Sequence, residues 1–161
     1  MTAASLRSVI ATPANFLALG GGVGLAPKAP GTFGTLLGIP AVLLMPSNLW
    51  VYAGIVLALF AVGVWCCQSC ADHLGVHDHP SIVWDEIVGY LITMIAVPRS
   101  WLWILIGFVV FRLFDVIKPW PISRVDRDVH GGLGIMLDDV IAALFGCATM
   151  QILLLLVGPN L

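Results

Sequence analysis

Residues 111–139 read FRLFDVIKPWPISRVDRDVHGGLGIMLDD and form the longest polar passage in a very apolar chain. Two hydrophobic runs flank this passage, so its charged side chains form one cluster between them. The residues of interest in it are Arg112, Asp115, Lys118, Asp126, Asp128, Asp138 and Asp139. The rest of the chain predicts a membrane scaffold that brings two shorter polar segments, around Lys28 and around Asp85, to this passage.

The composition indicates a membrane protein. Of the 161 residues, 60% are hydrophobic and 10% are charged, and the mean hydropathy is +1.02. An average soluble domain has about 25% charged residues, so this chain has too little charge to cover a globule of its size. The bilayer must therefore act as part of its solvent. The length predicts one domain over residues 1–161, and a net charge of −2 lacks the basic footprint of a nucleic-acid-binding protein.

Five apolar runs predict the helices of this scaffold. They cover residues 32–45, 49–67, 87–97, 101–114 and 140–157. Run 49–67 is long enough to span a bilayer. Run 32–45 is short and contains Pro40, which leaves open whether it crosses completely. We predict an all-α integral membrane protein, a small bundle with four to five membrane-embedded helices joined by polar loops.

The order of runs and polar segments predicts their sidedness. If successive runs cross in opposite directions, the three polar segments share one face and the breaks at 46–48 and 98–100 share the other. All nine acidic residues and six of the seven Lys and Arg residues then lie on the shared face, with Arg99 alone opposite. An excess of basic residues marks the cytoplasmic side of a membrane protein. We therefore expect the polar loops to face the cytoplasm.

Two adjacent carboxylate pairs, Asp85-Glu86 and Asp138-Asp139, each precede an apolar run and are predicted at helix N-termini. A helix dipole stabilises an acid there by about 0.3–1 kcal/mol, which would explain one such pair. Two pairs on one face require a counter-charge that distant basic residues supply poorly. Because carboxylate oxygens are the ligands of hard divalent cations, the pattern predicts a metal site with Mg²⁺ as the default ion. The further acids of this face are Asp78, Asp115, Asp126 and Asp128.

Spacing groups some of these side chains. Asp78 and Asp85 are seven residues apart and share a face if that segment is helical. Arg112, Asp115 and Lys118 follow one another at one helical turn, and the KPWP sequence then ends that helix. A cation beside carboxylates can bind a substrate phosphate or simply form an ion pair. Spacing alone leaves both roles open.

A second candidate site is the segment KAPGTFGT at residues 28–35. Its Pro-Gly turn leads into an apolar run, and Thr32 is predicted to cap the helix there. Free backbone N–H groups, the hydroxyls of Thr32 and Thr35, and the Lys28 ammonium would form a cradle for an anion. An ordinary turn at the start of a helix explains the same residues equally well.

Four blocks of sequence carry a family resemblance: GLAPKAPGTFGTLLGIP (24–40), HDHPSIVWDEIVGY (77–90), FRLFDVIKPWPISRVD (111–126) and GGLGIMLDD (131–139). They run nearly the length of the chain and are similar to phosphatidylglycerophosphatase A, a family of bacterial membrane phosphatases. The resemblance implies Mg²⁺-dependent removal of the terminal phosphate from phosphatidylglycerophosphate, which gives phosphatidylglycerol, at the bacterial cytoplasmic membrane. By position it implies that the functional residues are Asp85, Glu86, Asp115, Lys118, Asp138 and Asp139, with Lys28 and Thr32 in the first block.

The resemblance and the charge pattern together predict a role for each group. The expected metal ligands are Asp78, Asp85, Glu86, Asp115, Asp138 and Asp139. The expected phosphate-binding residues are Lys28, Thr32, Thr35, Arg112 and Lys118. Asp85 and Lys118 are also expected to act in catalysis, and Asp126 or Asp128 to position the water or protonate the leaving oxygen. Attack by an aspartate to give an acyl phosphate stays an open alternative.

Two other functions fit parts of the sequence. One is a membrane phosphatase or phosphotransferase that acts on another lipid phosphate, although the phosphotransferase pattern DxxDGxxAR is missing. The other is a small carrier or channel for divalent cations. Acids that belong to an ion pathway are expected within the membrane spans, and the apolar runs here contain none. Phosphate release from lipid, compared with transport in liposomes, separates these classes.

Overall fold

The architecture is helical, as the apolar runs predict. The structure is a computed structural model that describes residues 10–158. Within this range every regular element is a helix and there is no β-strand, which confirms the all-α prediction. The helices are α1 (Pro13–Ala18), a 3₁₀ helix (Gly20–Leu25), α2 (Pro30–Leu44), α3 (Leu49–Leu74), α4 (Trp84–Thr93), α5 (Trp101–Ile117), α6 (Ile122–Asp128) and α7 (Gly131–Val157).

Two of these helices have the length and composition needed to cross a membrane. They are α3, with 26 residues, and α7, with 27 residues, whose apolar 18-residue windows have mean hydropathies of 2.2 and 2.5. Helix α2 is apolar but has only 15 residues. Large apolar side chains such as Leu57 on α3 and Leu155 on α7 are exposed on the outer surface of the bundle. This surface suits a hydrocarbon environment, so the helices indicate membrane association.

Helix α3 has clear start and stop signals. The Asn48 side chain accepts hydrogen bonds from the backbone N–H groups of Trp50 (3.0 Å) and Val51 (3.1 Å), which caps the first turn. The helix continues past the apolar run that ends at residue 67 and stops at Gly75, whose φ of 67° is left-handed. Its last two turns therefore carry polar side chains into the polar end of the bundle.

Short helix α4 is enclosed by the other helices and holds the bundle together. The Tyr90 hydroxyl donates to the carbonyl of Ile104 on α5 (2.8 Å), and the Tyr52 hydroxyl of α3 donates to the carbonyl of Leu91 (2.7 Å). Gly38 of α2 lies so close to the Tyr90 ring that a Cβ atom there would stand 2.7 Å from it. These contacts explain how a helix of ten residues, too short to cross a bilayer, is largely buried at the centre of the bundle.

The bundle has a polar end and an opposite end. At the opposite end, the Arg99 guanidinium donates to the backbone carbonyls of Met45 (2.6 Å) and Pro46 (3.1 Å). This joins the α2–α3 turn to the α4–α5 turn, the two breaks that the sequence placed on the same side. The starts of α2 and α4, the end of α5 and a segment of α7 two turns from its start meet at the polar end, where they line one pocket.

Three local predictions are wrong. Thr32 does not cap α2, because the helix begins at Pro30 and the residue before it, Ala29, is left-handed with φ 48°. Asp78 and Asp85 do not share a helical face, because residues 75–83 form no α-helix. The Asp138-Asp139 pair does not stand at a helix N-terminus, because α7 already begins at Gly131 and the pair lies two turns inside it.

Candidate active site

A pocket of about 310 Å³ lies at the polar end of the bundle. Residues from five parts of the chain line it: Ala29, Pro30, Gly31, Asp78, Pro80, Ile82, Asp85, Glu86, Arg112, Asp115, Val116, Lys118, Asp138 and Asp139. Eight of these residues are ionisable, and the sequence predicted all eight as site residues. The fold therefore brings the charged residues of the 77–90 and 111–139 segments to one place.

Three carboxylates form a compact group in the wall of this pocket. One oxygen from each of Asp85, Glu86 and Asp139 lies within 4.8 Å of the others. Asp85 is 8% exposed and Asp139 is 3% exposed. Asp85 Oδ1, Glu86 Oε2 and Asp139 Oδ2 have no hydrogen-bond partner among the described residues. Buried acceptors without donors are costly, so a bound cation would stabilise this group.

The local sequence explains how these three side chains meet. Asp85 and Glu86 occupy the first turn of α4, where the helix dipole favours negative charge. Asp139 comes from α7, which packs against α4. A Cβ atom at Gly89 of α4 would stand 2.6 Å from the Phe111 ring and 3.4 Å from the Asp139 carbonyl. The glycine thus lets the Phe111 ring of α5 pack directly on α4 beside Asp139.

Burial and mutual repulsion change the acidity of the α4 pair. Burial, followed by the charge of Glu86, raises the pKa of Asp85 well above its ordinary range. Burial, followed by the charge of Asp139, raises the pKa of Glu86 to about 8, although the Arg112 guanidinium acts in the opposite direction. Both shifts have the cause expected for carboxyls crowded in a dry site. A bound cation would favour the ionised forms.

Two basic side chains, Arg112 and Lys118, form the basic wall of the pocket and pair with its acids. Arg112 contacts the Asp115 carboxylate and lies 3.8 Å from Glu86 Oε1. Lys118 lies 2.5 Å from Asp126 Oδ1 and 2.6 Å from Asp138 Oδ2. Burial lowers the pKa of Lys118, but its bonds to these two acids outweigh burial and carry the pKa above its usual value. Lys118 is therefore a permanent cation at the edge of the pocket.

Asp138 belongs to both walls. Its Oδ2 accepts from Lys118, whereas its Oδ1 is buried without a hydrogen-bond partner among the described residues. Because Asp138 and Asp139 are adjacent on α7, the first contacts the basic wall and the second the acidic wall. Asp138 therefore links the Lys118 ammonium to the acidic group through its neighbour Asp139.

The remaining predicted site residues lie outside the pocket lining. Lys28 is exposed, and Thr35 is fully buried with its hydroxyl donating to the carbonyl of Gly31 (2.9 Å). Thr32 is half-buried in the first turn of α2 and does not line the pocket. Asp126 touches the site only through Lys118. Asp128 is exposed on α6, and the Arg127 guanidinium beside it holds the pKa of that carboxyl below its usual value.

Sequence reasoning missed Gly31 as a structural part of the site. A Cβ atom at this position would overlap Glu86 Oε1 and lie 3.1 Å from Arg112 Nη1. Helix α2 can therefore approach the acidic group only because its second residue is glycine. The signal was present as the Pro-Gly pair before an apolar run, which we interpreted only as a turn.

The fold and this site define an all-helical protein with two membrane-length helices and a buried carboxylate group suited to a divalent cation. The family model of phosphatidylglycerophosphatase A matches residues 16–154. The chain belongs to this family, as its sequence blocks predicted.

Individual relatives agree with this assignment. The chain is 45% identical over 149 residues to "Phosphatidylglycerophosphatase A" of Escherichia coli (strain K12), a match that covers 91% of this chain and 87% of the relative. It is 44% identical over 136 residues to the protein of the same name from Haemophilus influenzae, covering 83% of each. It is also 36% identical over 135 residues to a "Putative phosphatidylinositol-3-phosphatase" of Bacteroides thetaiotaomicron, covering 78% of this chain and 84% of the relative. No solved structure matches the chain.

Proposed function

We propose that this protein hydrolyses the terminal phosphomonoester of phosphatidylglycerophosphate, giving phosphatidylglycerol and phosphate in phospholipid biosynthesis. The observation that carries the proposal is the family match over residues 16–154, together with the relatives of that name at 44–45% identity. The matched region contains every residue that lines the pocket. The prediction of an enzyme, a lipid phosphatase, is confirmed by this membership.

We propose Mg²⁺ as the cofactor, held by Asp85, Glu86 and Asp139. The fit rests on two observations: one oxygen from each of these side chains lies within 4.8 Å of the others, and each side chain has a buried oxygen without a hydrogen-bond partner among the described residues. An all-oxygen carboxylate set suits a hard divalent cation and is a poor match for softer metals. Asp78, Asp115 and Asp138 are the further predicted ligands that line the same pocket. Bound there, the ion supplies Lewis-acid stabilisation of the phosphate charge and lowers the pKa of a coordinated water.

The basic wall is proposed to bind the substrate phosphate. Arg112 and Lys118 line the pocket beside the acids, and both guanidinium and ammonium groups neutralise the charge that phosphoryl oxygens carry in the transition state. Their ion pairs with Asp115 and Asp138 hold them in place before substrate arrives. The contact between Arg112 and Glu86 at 3.8 Å keeps this cation beside the acidic group.

Asp126 is the proposed acid–base residue. Water must enter and the leaving glycerol oxygen must gain a proton, so one carboxylate near the phosphate has to exchange protons with solvent. Asp126 is exposed and lies 2.5 Å from Lys118 Nζ, so it stands at the edge of the pocket. Asp128 is the weaker candidate because it pairs with arginines of α6 instead. Direct attack by an aspartate stays an alternative that trapping of an acyl phosphate would reveal.

We propose that four helices, α2, α3, α5 and α7, are embedded in the bilayer around enclosed α4, with the polar end at the cytoplasmic surface. This orientation rests on the distribution of basic residues. Arg99 lies at the opposite end, whereas Arg112, Lys118 and the arginines of α6 lie at or next to the pocket. A pocket at the end of the bundle meets a lipid phosphate at the height of the headgroups. Its acids then avoid the bilayer centre, where insertion costs about 2.5–3.5 kcal/mol per charge.

The decisive experiment measures phosphate release by the purified protein in mixed micelles. We expect hydrolysis of phosphatidylglycerophosphate with Mg²⁺, its loss on chelation with EDTA, and its recovery when Mg²⁺ is restored. Phosphatidylinositol 3-phosphate should be offered in parallel because one relative is named for that substrate. Faster hydrolysis of the inositol lipid would reassign the substrate. Full activity after thorough chelation would refute the metal, and Mg²⁺ flux into liposomes without any phosphate release would favour the carrier.

A further inference from the structure

The start of helix α7 is capped by side chains from other parts of the chain. Its own N-cap residue, His130, forms no side-chain cap. Instead, the Gly131 N–H donates to His77 Nε2 (3.0 Å) and the Gly132 N–H donates to Gln68 Oε1 (2.7 Å). These acceptors are 54 and 64 residues away in sequence. The first turn of α7 is thus attached both to α3 and to the loop before α4.

The seat for this helix is closely fitted. A Cβ atom at Gly132 would overlap the carbonyl of Val64 and stand 2.7 Å from the backbone nitrogen of Gln68, so α7 rests directly on the α3 backbone. Gly131 has a φ of 77°, which an L side chain rarely adopts. The Gln68 amide is itself oriented, since its Nε2 donates to Asp72 Oδ1 (2.8 Å) one turn further along α3. The acceptor oxygen therefore faces α7.

These bonds determine where the acids of α7 stand. Asp139 is seven residues after Gly132, about 10 Å along the same helix. A helix is stiff over that length, so an axial shift or rotation at its first turn moves the carboxylate by a similar amount. The loop residue His77 directly precedes Asp78, which lines the pocket. One bond thus ties two walls of the site together.

We propose that Gln68 and His77 are positioning residues that set the height and rotation of α7 and so place Asp139 against Asp85 and Glu86. The inference deepens the proposed function and rests on it. Neither side chain touches the pocket, so both act through α7. Outer residues that orient metal ligands commonly change metal affinity or activity by about 10–100-fold when they are replaced.

The surroundings of these residues make the test practical. Gln68, Asp72 and His77 line a separate open cavity of about 370 Å³ on the outer side of the α7 start. Water from this cavity can satisfy a helix N–H that loses its acceptor, so removal should leave the fold intact. Water cannot hold the helix at a fixed height, because it is free to move with it.

The experiment compares Gln68→Leu, which removes the acceptor at similar volume, with Gln68→Glu made together with Asp72→Asn. This double variant keeps an acceptor oxygen at position 68 and lets the new amide at position 72 donate to it, so the two side chains do not repel each other. Gln151→Leu is the matched control, since Gln151 is also on α7 and donates to the carbonyl of Ile95 (2.9 Å) far from the pocket. Mg²⁺ affinity is measured by calorimetry on the full-length protein, together with kcat and KM for phosphate release. We expect Gln68→Leu to weaken Mg²⁺ binding about tenfold and lower kcat with little change in KM. The double variant should restore both within about threefold, and Gln151→Leu should change neither.

Three results would overturn the inference. They are unchanged Mg²⁺ affinity and kcat in Gln68→Leu, equal losses in Gln68→Leu and Gln151→Leu, and failure of the double variant to rescue. If Gln68→Leu does not fold, His77→Leu removes the other acceptor and carries the same expectation. A wild-type protein that binds Mg²⁺ but leaves phosphatidylglycerophosphate intact would refute the proposed function, while the calorimetry still judges the positioning role. A wild type without Mg²⁺ binding overturns the positioning role directly.

Discussion

Gly31 offers the sharpest test of the site, because one methyl group there should separate activity from stability. In Gly31→Ala, the new Cβ atom would overlap Glu86 Oε1 and stand 3.1 Å from both Glu86 Cδ and Arg112 Nη1. Carbon atoms in contact are normally about 3.5–4.0 Å from their neighbours, so the Glu86 carboxylate must withdraw by roughly 1 Å. Both neighbours are the ends of flexible side chains, so the backbone can stay in place.

The expected cost follows from that displacement. A 1 Å misplacement in a catalytic site can cost about 100-fold in rate, which corresponds to about 2.7 kcal/mol in the barrier. The melting temperature should change little, since the helix gains a better helix former at the same position. Initial rates of phosphate release and a thermal melt of the same preparation measure both quantities.

Gly54→Ala is the matched control, because Gly54 lies inside α3 and no atom lies within 4 Å of a Cβ atom there. It should leave the rate unchanged and raise stability by roughly 0.5–1 kcal/mol. The reasoning is refuted if Gly31→Ala keeps its rate within about threefold of wild type. It is equally refuted if both alanine variants lose the same activity.

Three further predictions concern charged groups. Asp139→Asn should lower the rate of phosphate release at least about 100-fold, because it removes a ligand oxygen from the buried group. Asp128→Asn on exposed α6 should lower the rate much less. Similar losses of rate in the two variants would contradict the placement of the site. Lys118→Ala should reduce kcat/KM more than Arg99→Ala does. Arg99→Ala should instead lower the melting temperature, because Arg99 donates to two backbone carbonyls and such bonds contribute about 1.5–3 kcal/mol each. The reverse pattern in thermal melts and kinetics would contradict the assignment of Lys118 to the active site and of Arg99 to the opposite end of the bundle. Mg²⁺ affinity should rise with pH between about 6 and 8, by up to tenfold per pH unit for each proton released. The reason is that the pKa of Glu86 is raised to about 8 and its proton must leave before the ion binds. A flat pH profile of the affinity in calorimetry would argue against Glu86 as a ligand.

The sequence predicted the composition of the site better than its geometry. Charge is scarce in this chain, so each cluster of polar residues had to meet another at the membrane surface, and this was enough to group Asp85, Glu86, Asp115, Lys118 and Asp139. The five apolar runs likewise identified five of the helices, although α3 ends seven residues after its run and α7 begins nine residues before its run. Both inferences rest on the hydrophobic effect and on charge solvation, which depend on where apolar and charged residues occur in the sequence.

The errors arose where glycine and proline decide the local structure. Helix α7 begins at Gly131, well before the apolar run, because its glycines let it lie against the α3 backbone. Helix α2 begins at Pro30 and continues through Pro40. Such starts depend on what the helix packs against, and a single sequence does not contain that information. The close approach at Gly31 and the remote caps of α7 were missed for the same reason.

One continuous helix, α7, carries both an exposed apolar surface and two acids of the site. Asp138 and Asp139 are its eighth and ninth residues, and the remaining 18 residues extend to Val157 along an apolar stretch. In the proposed arrangement, the depth of those acids is coupled to the thickness of the surrounding lipid, since a helix that is too long for its bilayer tilts and one that is too short thins the bilayer around it. Lipid phosphates sit at a height set by that same thickness. Host membranes made from shorter or longer acyl chains should thus tune turnover without altering any residue.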